Sequence, residues 1–176
     1  MESDEGLERL WTPWRSEYVT TAGESDGCIF CDHLEQGDDH EARILYRGAR
    51  TFVILNAFPY NTGHLMVAPF RHVGDICELE GDERAEMMSL TSESVAIIRD
   101  AMNAHGFNVG MNLGTVAGAG IPGHIHMHVV PRWGGDTNFM PVVGKTKVLP
   151  EMIEQTDAKL RPRFARLPGG ATSDPY

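Results

Sequence analysis

The chain is short of long apolar runs, of positive charge and of cysteine, and each shortage excludes a class of function. Its uninterrupted hydrophobic stretches extend only a handful of residues, whereas a helix crossing a bilayer takes about 20. Residues 1–9 are acidic rather than cationic, which is not the character of a secretory leader. The expectation is a soluble, cytoplasmic protein with no membrane partner. Lys and Arg total 15 against 25 Asp and Glu, for a net charge of −10. Duplex nucleic acid is bound by clustered cations that displace counterions, so that partner is excluded, while a small anion needs only a local patch. Three cysteines make no secreted disulfide framework. No internal repeat is present.

With 41% hydrophobic residues among 176, the chain suits one α+β domain with a full core and is too short for two. The organisation read from it is an aromatic arm at 1–27, a domain at 28–167 and a disordered tail at 168–176. In the arm, Trp11, Pro13 and Trp14 pack onto the domain or onto a partner subunit. Loops are expected at 20–27 and 35–41, and strands at 44–47, 51–56 and 64–69 with a turn at 59–63. Such short connections predict an antiparallel meander. A helical period over 82–103 places Met88, Thr91, Val95, Ile98 and Met102 on one inward stripe, with Gly106 as the left-handed terminator. Alternation at 107–113 predicts another strand. A closing helix from Pro150 turns Ile153, Leu160 and Phe164 inward, with Pro162 kinking it or ending it early. The architecture expected is an antiparallel sheet with one long and one C-terminal helix.

The informative run is Gly123-His-Ile-His-Met-His-Val-Val-Pro-Arg132. A β-strand sends alternate side chains to opposite faces, so His124, His126 and His128 share one face while Ile125, Met127 and Val129 line the other. Three imidazoles on a rigid support can act as nucleophile, hydrogen-bond donor or metal ligand near neutral pH. The middle ring, His126, is placed to attack phosphorus and form a phosphoramidate, with His128 serving the phosphate or leaving group and His124 anchoring the site. The loop at 114–123 holds four glycines and no charge. Its amides, at Gly118 and Gly120 among others, form either a phosphate cradle or a plain flexible connection. Arg132, Lys145 and Lys147 supply either local positive charge for an anion or an ordinary solvated surface.

A metal competes for the same rings. Cys28 and Cys31 form a Cys-x-x-Cys, which zinc sites usually complete with two further Cys or His. Cys77 stands alone before the long helix and is expected to be a buried small hydrophobe, so histidines must complete the set. His72 and His124 are both placed to approach the pair, whereas His33 and His40 lie in a loop without the usual spacing. The alternative is a reduced thiol pair without metal. Zinc on all three histidines of the triplet is disfavoured, because neighbouring rings on one strand converge poorly on a tetrahedral ion.

The run His124-Ile-His-Met-His-Val-Val130 resembles the signature of the histidine triad superfamily of nucleotide hydrolases and transferases. Accompanying pieces are Asn56-Ala-Phe-Pro-Tyr-Asn-Thr-Gly-His-Leu-Met-Val67, Met111-Asn-Leu-Gly114 and Cys28-Ile-Phe-Cys31. With Leu10-Trp-Thr-Pro-Trp-Arg15 and Pro131-Arg-Trp-Gly-Gly-Asp-Thr-Asn-Phe-Met140, they resemble the bacterial branch that includes diadenosine tetraphosphate phosphorylases. The resemblance implies cleavage of a dinucleoside polyphosphate or an AMP conjugate through a nucleotidyl-His126, assisted by His128 and supported by His64. It implies that Asn56 contacts the nucleoside and Asn112 the ribose or phosphate, with a divalent metal such as Mg accompanying the nucleotide. It also implies a homodimer and a structural zinc on Cys28, Cys31, His72 and His124. Many hydrolase members carry Gln four residues before the first triad histidine. Here that place is Gly120, so backbone amides must substitute, and phosphate or water as the final acceptor stays open. The rival reading is a zinc-stabilised nucleotide-binding module with little turnover.

Overall fold

The computed structural model describes residues 27–138 and 149–168. The aromatic arm, Lys145, Lys147 and positions 169–176 of the tail lie outside the described residues, whereas Pro168 accepts a hydrogen bond from Tyr46 Oη at 2.9 Å. Five strands form one antiparallel sheet: β1 (Ile44–Arg47), β2 (Thr51–Leu55), β3 (Leu65–Pro69), β4 (Gly106–Gly110) and β5 (Met127–Arg132). Their spatial order is β1-β2-β3-β5-β4, so the expected meander supplies one side and the histidine strand is inserted between β3 and β4. Among the described residues three helices accompany them: α1 (Ile29–Glu35), α2 (Gly81–Met102) and α3 (Ile153–Phe164). None of these is long and apolar enough to cross a membrane.

Both faces of the sheet are covered, which is why β2 and β3 read as continuous apolar runs rather than alternating ones. On one face Val53, Leu55, Leu65, Val67, Met127 and Val129 pack with Met87, Leu90 and Ile98 of α2 and with Leu160 and Phe164 of α3. On the other, Ile44, Phe52, Ile54, Met66 and Ala68 pack around Phe30 of α1. The short α1, unexpected from the sequence, begins immediately after Cys28 and contains Cys31. Seven residues are too few for a helical period to stand out.

The long helix differs from expectation in phase and in how it ends. Its inward stripe is Met87, Leu90, Thr91, Ser94 and Ile98, and Met88 is 58% exposed. One residue rotates a helix by about 100°, which moves Met88 off the core face. Asn103, at φ 51°, provides the left-handed end, so Gly106 is released to open β4. At the other end Glu80 and Glu83 form a reciprocal capping box. The Glu86 carboxylate then clamps the β1–β2 turn, accepting from the amides of Ala49, Arg50 and Thr51 at 2.7–2.8 Å.

Three further differences have local causes. β5 starts at Met127 rather than at His124, because β3 ends in Pro69, which has no N–H to extend the ladder. Ile125 instead donates to Val73 O at 2.7 Å. β4 stops at Gly110 opposite His128, and with β5 starting at Met127, residues 112–113 have no strand to pair with. Cys77 is exposed on a 3-10 turn rather than buried. Helix α3 runs through Pro162 to Phe164 rather than ending before it, and Leu160 and Phe164 are fully buried as expected.

Candidate active site and metal centre

The period of two survives although the strand begins late. Ile125, Met127 and Val129 enter the helix-side core, and the histidines take the opposite face. Phe30 of α1 lies with its ring 5.0 Å from both His124 and His126. His124 is 0% and His126 6% exposed. Burial holds both imidazoles below the usual histidine range, against backbone carbonyl bonds that push the other way. They are therefore neutral at neutral pH.

Hydrogen bonds settle where the protons sit. His126 Nδ1 lies 2.8 Å from His124 O, and a carbonyl only accepts, so Nδ1 carries the proton and Nε2 the lone pair. Tyr60 N donates to His64 Nδ1 at 3.0 Å. An amide N–H only donates, so neutral His64 carries its proton on Nε2 and gives it to His128 Nδ1, 2.9 Å away. His128 is left with its proton on Nε2. Adjacent rings of His126 and His128, 4.8 Å between centroids, thus pair a nucleophilic nitrogen with a hydrogen-bond donor. Tyr60 also stacks on His64 and His128, at 4.8 and 5.6 Å.

His124 turns to other work. Its Nδ1 is 3.3 Å from Cys28 Sγ and 3.7 Å from Cys31 Sγ, while His72 Nδ1 is 3.5 Å from Cys31 Sγ. The four ligand atoms lie within 4.8 Å of one another and could hold a metal ion. His124 Nε2 donates to Pro69 O at 2.9 Å, which directs Nδ1 toward the sulfurs in the way carbonyl partners orient metal-binding histidines. Burial and the facing Cys28 push the Cys31 thiol up to about 11, a cost that a divalent cation offsets by favouring thiolate. His33 and His40 are not members of this group, nor are His126 and His128.

The remaining sequence-derived candidates are distributed around this face. Asn56 accepts from Phe58 N at 2.8 Å and places Nδ2 3.5 Å from Met66 Sδ, and Met66 is the register partner of His128. Asn112 Nδ2 donates to Gly118 O at 3.4 Å, tying the glycine-rich loop to the end of β4. Gly118 takes φ 85° there, whereas Gly120 is a half-buried residue without a positive φ. Arg132 is not held ready for an anion: it bonds Asp136 through Nε at 2.7 Å and Nη2 at 2.8 Å, and Asn108 through Nη1 at 2.8 Å. Sequence reasoning passed over Phe30 and Tyr60. An aromatic beside the cysteines and another four residues before His64 were the available signals.

Residues 38–135 match the HIT domain model. The AP-4-A phosphorylase of Mycobacterium tuberculosis is 41% identical over 170 residues, spanning 92% of this chain and 87% of that one. A histidine triad nucleotide-binding protein structure from Sulfolobus tokodaii aligns with TM-score 0.62 at 26% identity, covering 78% of this chain and 92% of that one. A Zn-bound histidine triad protein structure from Mycobacterium smegmatis shares the fold, with TM-score 0.58 at 23% identity over 85% of this chain and 92% of that one. Matched by that domain model over more than half its length, this chain belongs to the HIT domain family.

Proposed function

We propose that this protein is a dinucleoside polyphosphate-cleaving enzyme that works through a covalent nucleotidyl-His126. The observation that carries the reading is the pairing of a neutral His126, its Nδ1 proton held by His124 O at 2.8 Å, with a His128 whose proton is directed to Nε2 by His64 at 2.9 Å. In the first step the Nε2 lone pair of His126 attacks the α-phosphorus. The P–N bond forms as the bond to the bridging oxygen breaks, and the electron pair leaves with the polyphosphate. His128 Nε2–H donates a hydrogen bond to that oxygen without full proton transfer, since a polyphosphate leaves as an anion. The phosphorylated ring becomes cationic, and the His124 carbonyl on its Nδ1–H stabilises that charge. In the second step phosphate, or water that gives up a proton to solvent, attacks the same phosphorus, and the P–N bond breaks so that His126 Nε2 leaves with its lone pair restored.

The test is product analysis on diadenosine tetraphosphate with and without inorganic phosphate, beside acid-quench trapping of the adduct. ADP with ATP indicates phosphorolysis and AMP with ATP indicates hydrolysis, whereas two ADP would place cleavage at the β-phosphorus and overturn attack at the α-phosphorus. His126→Ala is expected to lose turnover by at least about 10⁴-fold and to form no adduct. Persistent turnover in that variant overturns the assignment. Measured nucleotide affinity beside turnover separates the enzyme from a binding module, which would bind tightly and release no product.

The metal group suits zinc. Zn–S of about 2.3 Å and Zn–N of about 2.0–2.1 Å in a tetrahedron set S···N separations near 3.6 Å, close to the 3.3, 3.5 and 3.7 Å found. Cys28, Cys31, His72 and His124 would hold it in a closed structural site whose chemistry is to cross-link α1 to the two loops flanking the sheet. We also infer a homodimer formed through β4, supported by the exposed outer strand with Val109 46% exposed, an edge that isolated chains seldom leave open.

A further inference from the structure

The segment Pro131-Arg-Trp-Gly-Gly-Asp136 supplies no nucleophile, donor or metal ligand to the chemistry above, yet Asp136 stands at the centre of a half-buried polar network. Its Oδ2 accepts from Arg132 Nε at 2.7 Å, Asn61 Nδ2 at 2.8 Å and Trp133 N at 3.1 Å. Its Oδ1 accepts from Arg132 Nη2 at 2.8 Å and Thr137 Oγ1 at 3.0 Å. Hydrogen bonds from Arg132 hold the carboxyl well below the usual carboxylate range, so the anchor is an anion at neutral pH. Asn61 is buried, and its amide bonds Pro131 O at 3.0 Å as well as Asp136.

Asn61 is also the first residue of the turn that presents His64. His64 N donates to Asn61 O at 3.0 Å, with Gly63 at φ 79° in the third position. The residue before Asn61 is Tyr60, whose amide sets the His64 tautomer. A closed circuit results. From β5 it passes through Arg132 and Asp136 to Asn61, across the turn to His64, and back to β5 at His128, four residues before Arg132.

We propose that Asn61, Asp136 and Arg132 are positioning residues that lock the 60–64 turn, so that His64 can only donate through Nε2 and His128 always presents Nε2–H. Without that lock the Tyr60 amide moves off His64 Nδ1. His64 is then free to carry its proton on Nδ1 and accept through Nε2, which draws the His128 proton onto Nδ1 and removes the donor from the leaving oxygen. The network touches no reacting atom and acts through the pair. This inference rests on the proposed role of His128 in polyphosphate cleavage, while its tautomer arm does not depend on turnover.

The decisive variant is Asn61→Asp, which sets two carboxylates against each other where an amide now donates at 2.8 Å. In full-length protein with ¹⁵N-labelled histidine, long-range imidazole correlations are expected to show Nε2–H tautomers for His64 and His128. In Asn61→Asp a mixture with Nδ1–H forms is expected. The same variant should lose up to about 100-fold in kcat, less than the roughly 10²–10³ of removing a transition-state donor outright because part of the population keeps the Nε2–H form, with KM changed less than about threefold. The exchange Asn61→Asp with Asp136→Asn, which restores a donor–acceptor pair, should recover both signals in part. Should Asn61→Asp lose its near-ultraviolet dichroism, Asp136→Asn alone carries the test, with smaller changes in the same direction. Wild-type tautomers in the folded variants, with kcat within about twofold, overturn the proposal. If His126→Ala keeps turnover while the tautomers do shift, the covalent reading fails and the positioning network stands.

Discussion

At Gly63 the backbone takes φ 79°, and a Cβ there would meet Met102 Sδ at 3.0 Å and Pro131 Cγ at 3.2 Å. Both the conformation and the space are reserved for glycine, and His64 follows immediately. Gly63→Ala is expected to cost about 1–3 kcal/mol of stability. Because the displaced turn also carries the His64 contact to His128, kcat should fall while bound metal is retained. Thermal denaturation, steady-state kinetics and metal analysis on one preparation check all three. At this scale the sequence was most legible where chemistry and periodicity coincide. His126 and His128 stand out as alternating rings in an apolar run, and Cys28 and Cys31 as a paired ligand motif. Asn61 did not stand out because the partner of its side-chain amide, Asp136, lies 75 residues away, and Tyr60 did not because it acts through its backbone amide. Backbone donors have no side-chain signature.

Helix α2 is tied to the rest of the fold at its N-terminal end by two acidic residues one turn apart. Glu83, buried on the helix, accepts from Arg71 Nε and Nη2 at 2.7 Å and caps its own helix through Glu80 N at 2.8 Å. Those bonds, led by Arg71, lower its carboxyl to about 2 against the burial that would raise it. Stability from this group is therefore complete above the ordinary carboxylate value near 4.5 and is lost as pH falls toward 2. The full effect is on the order of 2 kcal/mol, discounted because Arg71 is half-exposed. In Glu83→Gln the corresponding part of the acid-destabilisation curve between pH 4.5 and 2 should flatten, which urea titrations at fixed pH values measure. An unchanged curve would show that the ion pair does not stabilise the helix entry. Element existence was readable for β1, β2, β3 and α2, where runs and periods are long. Phase and termini were not. Met87 rather than Met88 faces the core, and Asn103 rather than Gly106 ends the helix, because packing against a particular sheet selects among nearly equivalent helical faces.

Across the whole molecule, one residue joins the metal group to the reaction site. The His124 ring faces Cys28 and Cys31, its Nε2 is held by Pro69, and its carbonyl holds His126. Freshly purified protein is expected to contain about one zinc per chain, and a strong chelator to lower Tm by roughly 10 °C or more, because metal binding adds directly to folding free energy. Turnover should fall in parallel as His124 loses its anchor. Elemental analysis finding no zinc in unchelated protein would count against the site. The open edge of β4 leads to a second expectation at this scale: light scattering should give twice the chain mass of 19.5 kDa. A charged residue introduced by Val109→Glu should halve it, since an interfacial carboxylate loses its water without gaining a partner.

The sequence by itself determined which face the three histidines share, the antiparallel character of the meander, the Cys-x-x-Cys half of the metal group and the family to which the chain belongs. Each of these is written in local spacing or in a short motif, and covalent geometry converts spacing into direction. Only the tertiary structure decided how the triplet divides its labour. The His124 ring faces two thiols because α1 brings Cys28 and Cys31 across a separation of over ninety residues, and His126 is a neutral imidazole because Phe30 and the sheet bury it. His128 keeps its proton on Nε2 because a turn near β3 directs the His64 Nε2–H onto its Nδ1. The three rings are equivalent along the strand. Protonation and ligand role depend on burial and on partners distant in the chain, and chain folding supplies both.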